Sequence, residues 1–265
     1  MDRQEHQHVS IVVPAFNEER RIERTIVTIA EYMRGRHEPH DIIVSDDGSV
    51  DGTAEIVGAL QRTHPAIQLV RGPRNEGKGS AVRRGVARST GELILVTDAD
   101  LATPIEEFEP LLAQIRAGAD IAIGSRGMRG SQLVLRQPIY REMMGRLFNV
   151  FVQLAILPGV FDTQCGFKLF NGSVARRLFA HAKIDGFAFD VEVLGLAAQA
   201  GYRLGEVPVR WSHVNHSKVS LGRDSVSMFR DIVRIAYWLR TNQYDVMAVA
   251  AVVNDRQPPA VAEKP

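Results

Sequence analysis

Apolar positions in the first half of the chain come in blocks. Five short runs are almost continuously apolar: VSIVVPAF (9–16), DIIVSDD (41–47), IQLVRG (67–72), ELILVTD (92–98) and DIAIGSR (120–126). Runs apolar on both faces are expected of strands buried between two layers. Between them, helical periodicity predicts helices over Glu18–Met33, Gly52–Arg62, Ser80–Ser89 and Ile105–Ala117. This βαβα rhythm predicts an α/β fold, a mainly parallel sheet with helices on both faces.

After Gly130 the rhythm changes. PIYREMMGRLFNVFVQLAILPGV (138–160) carries a broad apolar stripe, with Arg141 and Arg146 in its first half. CGFKLFN (165–171) and YRLGEVPVRW (202–211) predict strands, and Ser173–His181 and Asp190–Ala200 predict helices. SVSMFRDIVRIAYWLR (225–240) is a strongly periodic last helix, and the polar, proline-bearing end NDRQPPAVAEKP is expected to be disordered. No internal repeat is visible. The reading is a single domain over 1–244, with halves 9–127 and 128–244, and a partly disordered tail over 245–265.

Composition narrows the function classes. The chain has 265 residues, 45% hydrophobic and 24% charged, as expected of a globular protein. A net charge of +1 gives no reason to expect nucleic acid, so an anionic ligand has to be held by local basic groups. The single cysteine, Cys165, excludes an intramolecular disulfide and fits a reducing compartment. MDRQEHQHVSIVVPAF has no long apolar core, so no signal peptide is expected. No run approaches the roughly 18 to 20 apolar residues that span a bilayer.

The chemistry gathers where the strands end. In open α/β sheets ligands bind outside the carboxyl ends of the strands, and PAFNEE, SDDGSVDGT, TDAD and GSRG all fall there. Asp98 and Asp100 would point to one side if the strand conformation persists, and such a pair can hold a divalent cation through oxygen ligands. The same carboxylates can instead cap the helix beginning near Pro104. Asp46 and Asp47 end the second strand, and Asp51 can cap the next helix. GPRNEGKGS (72–80) nearly matches a phosphate-binding P-loop, but Gly79 follows Lys78 where Ser or Thr is needed for magnesium. A P-loop is therefore a poor fit.

VVPAFNEE, DIIVSDDGSVDGT, NEGKGSAVRRG, TDAD, GSR, TQCGFKLF, FAFDVEVL and VPVRWSHVNHSK follow one another over residues 9–244. In that order they resemble the family 2 inverting glycosyltransferases of GT-A fold. More narrowly, they are similar to the dolichyl-phosphate glucosyltransferase and polyprenyl-phosphate sugar synthase branch.

The resemblance implies a nucleotide-sugar-binding half over 9–127 and acceptor-side helices over 128–244. Pro14, Ala15, Phe16 and Glu18 would line the nucleoside pocket, and Asp46 or Asp47 would accept from the base. Asp98, Ala99 and Asp100 would hold ribose and metal, with Asp98 and Asp100 as ligands of Mg2+ or Mn2+. Lys78 would position the donor, and Arg126 and Lys218 would face phosphates. Asp190 is left as a base, an acceptor-site residue or a helix N-cap.

The implied reaction moves a hexose, glucose from UDP-glucose ahead of a GDP-sugar, to a polyprenyl phosphate. The implied location is peripheral, on the cytoplasmic face of a membrane. A hydroxyl acceptor, or a non-catalytic nucleotide-sugar binder, are the alternatives. Ala102 stands where the mannose-transferring branch often has a polar residue, His216 where a glycine is usual and His213 where a glutamate is usual. His213 and His216 can also be read as a metal pair, or as solvated side chains. Residues 138–160 would meet lipid, with Leu147, Phe148, Phe151, Leu154 and Ile156 forming the apolar face, or pack as a core helix or dimer face. Tyr237 and Trp238 on the last helix would add to the lipid contact.

Overall fold

The computed structural model describes residues 7–135, 148–212 and 223–250. Lys218, His213, His216, Arg141, Arg146, Leu147 and the tail beyond 250 lie outside the described residues.

The predicted strands form. They are β1 (Val9–Ala15), β2 (His40–Asp46), β3 (Ile67–Arg71), β4 (Leu93–Val96) and β5 (Ile121–Ser125). The later ones are β6 (Gln132–Leu135), β7 (Lys168–Asn171), β8 (Leu204–Pro208) and β9 (Arg210–Ser212). Seven make one sheet in the order β3-β2-β1-β4-β7-β5-β8, while β6 and β9 pair separately. Every pairing in the large sheet is parallel except those of β7, which runs against β4 and β5. The expected single strand over 202–211 is divided at Val209 between the two sheets.

The helices are α1 (Ile22–Arg36), α2 (Thr53–Thr63), α3 (Lys78–Arg88), α4 (Phe108–Arg116) and α5 (148–155). They continue with α6 (Gly172–His181), α7 (Phe189–Gln199), α8 (Arg223–Arg240) and the short α9 (Val246–Ala250). Alternation along the strands assigns each side chain to a face. Ile11, Val13, Val44, Leu95 and Leu169 pack with α1, α2 and α4 in one buried cluster. Val12, Ile94, Val96 and Phe170 pack with α3, α6, α7 and α8 in the other. Strands apolar on both faces are therefore the sequence trace of a sheet with two cores.

The C-terminal segment is tied to the second core by a buried carboxylate. Glu192, fully buried on α7, accepts from the Lys183 and Ile184 backbone N–H groups at 2.8 and 2.9 Å and from the Tyr244 hydroxyl at 2.6 Å. Burial raises the Glu192 carboxyl above the usual range, and the three donors oppose that shift. Lys183 lies over the Tyr244 and Trp238 rings at 4.7 and 5.4 Å. Tyr244→Phe removes one donor from a buried charge. It should lower unfolding free energy by about 1–3 kcal/mol in urea titration with an unchanged m-value; no loss would mean the hydroxyl is not part of the tie.

Candidate functional site

The carboxyl ends of β1, β2, β4 and β5 converge. The register sets Ala15 beside Asp46 and Asp46 beside Arg71, so these loops leave the sheet at one level. β4 ends at Val96, earlier than a persisting strand would require. Asp98 to Leu101 form a turn instead, in which the Leu101 N–H donates to the Asp98 carbonyl at 3.2 Å and Leu101 has φ 46°. The two aspartates are thus presented by a turn and not by strand alternation. Neither caps the following helical turn, whose N-cap is Pro104; the Asp100 Oδ1 accepts from the Ala102 N–H at 3.0 Å.

Asp98 is paired. Its Oδ1 lies 2.6 Å from Lys78 Nζ, at the first residue of α3. Burial works against the Lys78 charge, but the Asp98, Asp190 and Asp100 carboxylates outweigh it, so the ammonium holds its proton above the usual lysine range. Asp100 is pushed the other way: burial first, then the Asp98 charge, raises its carboxyl above the usual range. One lysine therefore does not fully neutralise this pair. Among the described residues no group of three or more His, Cys, Asp or Glu could hold a metal. Two carboxylates still fit a hard cation such as Mg2+ or Mn2+, provided a ligand supplies further oxygens.

Two close approaches build the surroundings of the pair. Gly77 (φ 118°) and Gly79 flank Lys78, and a Cβ on either would collide with backbone of Ile184 or Asp185. The glycines that imitate a P-loop thus exist to let residues 184–185 lie against the start of α3. Gly166 does the same for Asp98, whose carboxylate occupies the space a Cβ would fill.

The other expected residues are placed as follows. Asp190 sits in the first turn of α7, not at its cap, which is Ala188. It is buried and its Oδ1 lies 2.6 Å from Lys168 Nζ. Burial raises the Asp190 carboxyl, and Lys168 and Lys78 oppose that shift. Arg126 follows β5 and is held by Asp162 through a two-bond fork, Nε to Oδ2 at 2.7 Å and Nη2 to Oδ1 at 2.8 Å. Burial works against the Arg126 charge, but Asp162 more than offsets it, and Trp211 lies 5.6 Å beneath the guanidinium. The fork leaves Nη1 to face another anion.

The β1 and β2 loops interlock. Pro14 and Ala15 are buried and Phe16 is half-buried. The Glu18 N–H donates to Thr53 at 2.7 Å, and its Oε2 lies 2.6 Å from Arg21 Nε. Asp46 and Asp47 are buried. Asp46 accepts from Ser49 and pairs with Arg71 at 3.2 Å. Asp47 Oδ2 accepts from the Glu76 and Gly77 N–H groups at 3.1 and 2.7 Å. Both carboxylates serve the loops; among the described residues their other oxygens, Asp46 Oδ2 and Asp47 Oδ1, make no hydrogen bond but face Arg71 at 3.2 Å and Arg84 at 3.6 Å. Asp51 is not the cap of α2, which is Gly52, but lies one residue before it and accepts from the Thr53 N–H at 3.0 Å. The Ala99 carbonyl accepts from Thr25 at 2.6 Å, anchoring the aspartate turn to α1.

Sequence reasoning assigned no role to Asp162 or Lys168. Both lie in or beside TQCGFKLF, but their partners are distant in sequence, so no local spacing announces them.

Residues 10–179 match the family model described as Glycosyl transferase family 2. A dolichyl-phosphate beta-glucosyltransferase of Trichomonas vaginalis is 38% identical over 90% of this chain and 74% of its own length. Those of Dictyostelium discoideum and Saccharomyces cerevisiae are 36% and 31% identical, each over 87% of this chain and 74% and 75% of theirs. Among solved structures, glucosyl-3-phosphoglycerate synthase from Mycobacterium tuberculosis with Mn2+, UDP-glucose and phosphoglyceric acid matches with TM-score 0.67 and 21% identity. That match covers 87% of this chain and 80% of the other, and establishes the GT-A fold expected from the sequence.

Gly79→Ala tests the close approach at Lys78. Alanine is the better helix former, yet the new methyl meets the Ile184 carbonyl and Phe189. Unfolding free energy should fall by about 1–3 kcal/mol in urea titration; a gain would show that residues 184–185 do not press on α3.

Proposed function

We propose that this chain, which belongs to glycosyl transferase family 2, transfers glucose from UDP-glucose to a polyprenyl or dolichyl phosphate with inversion. The observation that carries the reading is the incompletely neutralised pair Asp98 and Asp100, beside Lys78, at the end of the central strand β4. The names of its relatives as dolichyl-phosphate beta-glucosyltransferases support the sugar and the acceptor. Residues 9–127 would bind the nucleotide sugar, 128–244 would face the acceptor, and the whole would act as one domain.

Negative charge builds on the departing diphosphate as the bond to the anomeric carbon breaks. A divalent cation on Asp98 and Asp100 would supply Lewis-acid stabilisation of that charge. Lys78 adds a fixed ammonium on the same side. Phe16, Glu18 and the Asp46–Asp47 loop would border the nucleoside. A phosphate acceptor is already anionic at its attacking oxygen, so it needs positioning by cations more than a base. Arg126, through Nη1, and Lys218 are the candidates. Asp190, fixed on buried Lys168, fits a carboxylate that orients Lys78 better than one that takes a proton.

The acceptor has to be met at a bilayer. Among the described residues no helix is long and apolar enough to cross a membrane. α8 instead exposes Val226, Phe229, Val233 and Tyr237, spaced as one helical stripe, and Leu154 of α5 is 81% exposed beside it. Phe151 and Phe229 join the two helices at a ring distance of 5.1 Å. Arg230 and Arg234, which pair with Asp231 at 3.8 and 3.4 Å, lie beside the stripe on α8 and would meet anionic headgroups of a cytoplasmic leaflet. Trp238 packs inward against Tyr244 and is not part of this face.

Asp100→Ala should lower metal-dependent release of UDP from UDP-glucose by about 100-fold or more with an unchanged melting temperature. Full activity would remove Asp100 from the site. Chelation should abolish turnover in the wild type and added Mn2+ should restore it; turnover that survives chelation would contradict metal dependence. Leu154→Asp combined with Val226→Asp should reduce flotation with anionic liposomes while leaving UDP release in detergent intact. Unchanged flotation would assign the stripe to protein packing.

A further inference from the structure

A lysine buried in a sheet needs partners for its charge. Lys168 is 2% exposed in β7, and its register partner in β4 is Val96, two residues before Asp98. Its ammonium donates to Asp190 Oδ1 at 2.6 Å and to the Cys165 carbonyl at 2.5 Å. Cys165 precedes Gly166, and a Cβ on Gly166 would strike the Asp98 carboxylate. The Lys168 cation therefore holds two things at once. One is the turn against which Asp98 rests; the other is the carboxylate that acts, together with Asp98, on Lys78.

We propose that Lys168 is a positioning residue for the Asp98–Asp100 site, acting through the Cys165–Gly166 turn without touching the donor. This deepens the glycosyltransferase reading and rests on it. Among the described residues, Lys168 is the side chain that holds the Cys165 carbonyl, and it is the cation that β7 carries. Removing the ammonium frees the turn to shift, and Gly166 bounds the Asp98 carboxylate on the side away from its pairing with Lys78. Asp190 is the partner that makes the buried charge tolerable.

The test is calorimetric titration of Mn2+ into the full chain in saturating UDP. Lys168→Met should weaken Mn2+ binding by about 10-fold or more, in the range expected when a residue supporting a metal ligand is lost. Lys168→Arg, which keeps a donor cation, should recover part of that loss. Asp190→Asn, whose amide oxygen still accepts from the Lys168 ammonium, should bind Mn2+ within about threefold of wild type, well inside the range above, because the Cys165 carbonyl stays held, even though its turnover falls. Should Lys168→Met fail to fold, Lys168→Met with Asp190→Leu removes both buried charges. That double variant should keep a wild-type near-UV circular dichroism spectrum and show the same weakened binding. Wild-type Mn2+ affinity in a folded variant lacking Lys168 overturns the proposal, as does an equal loss in Asp190→Asn. A wild-type chain that binds no Mn2+ with UDP overturns the metal-dependent mechanism proposed for this site, and the role of Lys168 with it.

Discussion

The structure depends on placing two carboxylates, one residue apart, at the carboxyl end of the central strand β4. Their repulsion is only partly met within the chain. Lys78 answers Asp98 at 2.6 Å, while Asp100 is left with a raised proton affinity from burial and from the Asp98 charge. A fold that satisfied both internally would have no use for a cation or an anionic ligand. The incomplete compensation is what suits the end of β4 to the proposed cation and donor, where a fully satisfied ion pair would not.

Much of the surrounding sequence serves to keep that arrangement in place. Gly77 and Gly79 admit residues 184–185 against the start of α3, which fixes the base of Lys78. The same segment is bound from behind by Glu192, itself held by Tyr244. Gly166 leaves room for the Asp98 carboxylate, and the Thr25 hydroxyl holds the Ala99 carbonyl between the two aspartates. The candidate residues that sit on loops are here positioned by strands and helices with two separate cores beneath them.

The layered α/β fold was legible because β1, β2, β4 and β5 are apolar and buried on both faces, whereas a strand with one face in water alternates apolar and polar positions. Strand direction was not, since periodicity carries no polarity, and so β7 came as an antiparallel insertion between β4 and β5. Helix starts shifted for tertiary reasons. α1 begins at Ile22 and not Glu18: residues 18–21 form a turn in which the Arg21 and Ile22 N–H groups donate to the Glu18 carbonyl, held to the β2 loop by the Asn17, Glu18 and Glu19 N–H groups on Ser49, Thr53 and Asp51. α3 begins at Lys78, two residues before the expected Ser80, because the backbone of residues 184–185 demands glycine where helix propensity disfavours it. The aspartate pair, Lys78 and Arg126 were visible as motifs. Asp162 and Lys168 were not, since their meaning lies in partners 36 and 22 residues away.

In the proposed reaction the strand-end cluster would drive departure of a nucleoside diphosphate toward an acceptor that is already anionic. Incubating the chain with UDP-glucose and Mn2+, beside either a short-chain polyprenyl phosphate or the matching polyprenol, tests it directly. The first should yield a glucosylated lipid phosphate and the alcohol no product. Glucosylated alcohol, or no product with the phosphate, would contradict it.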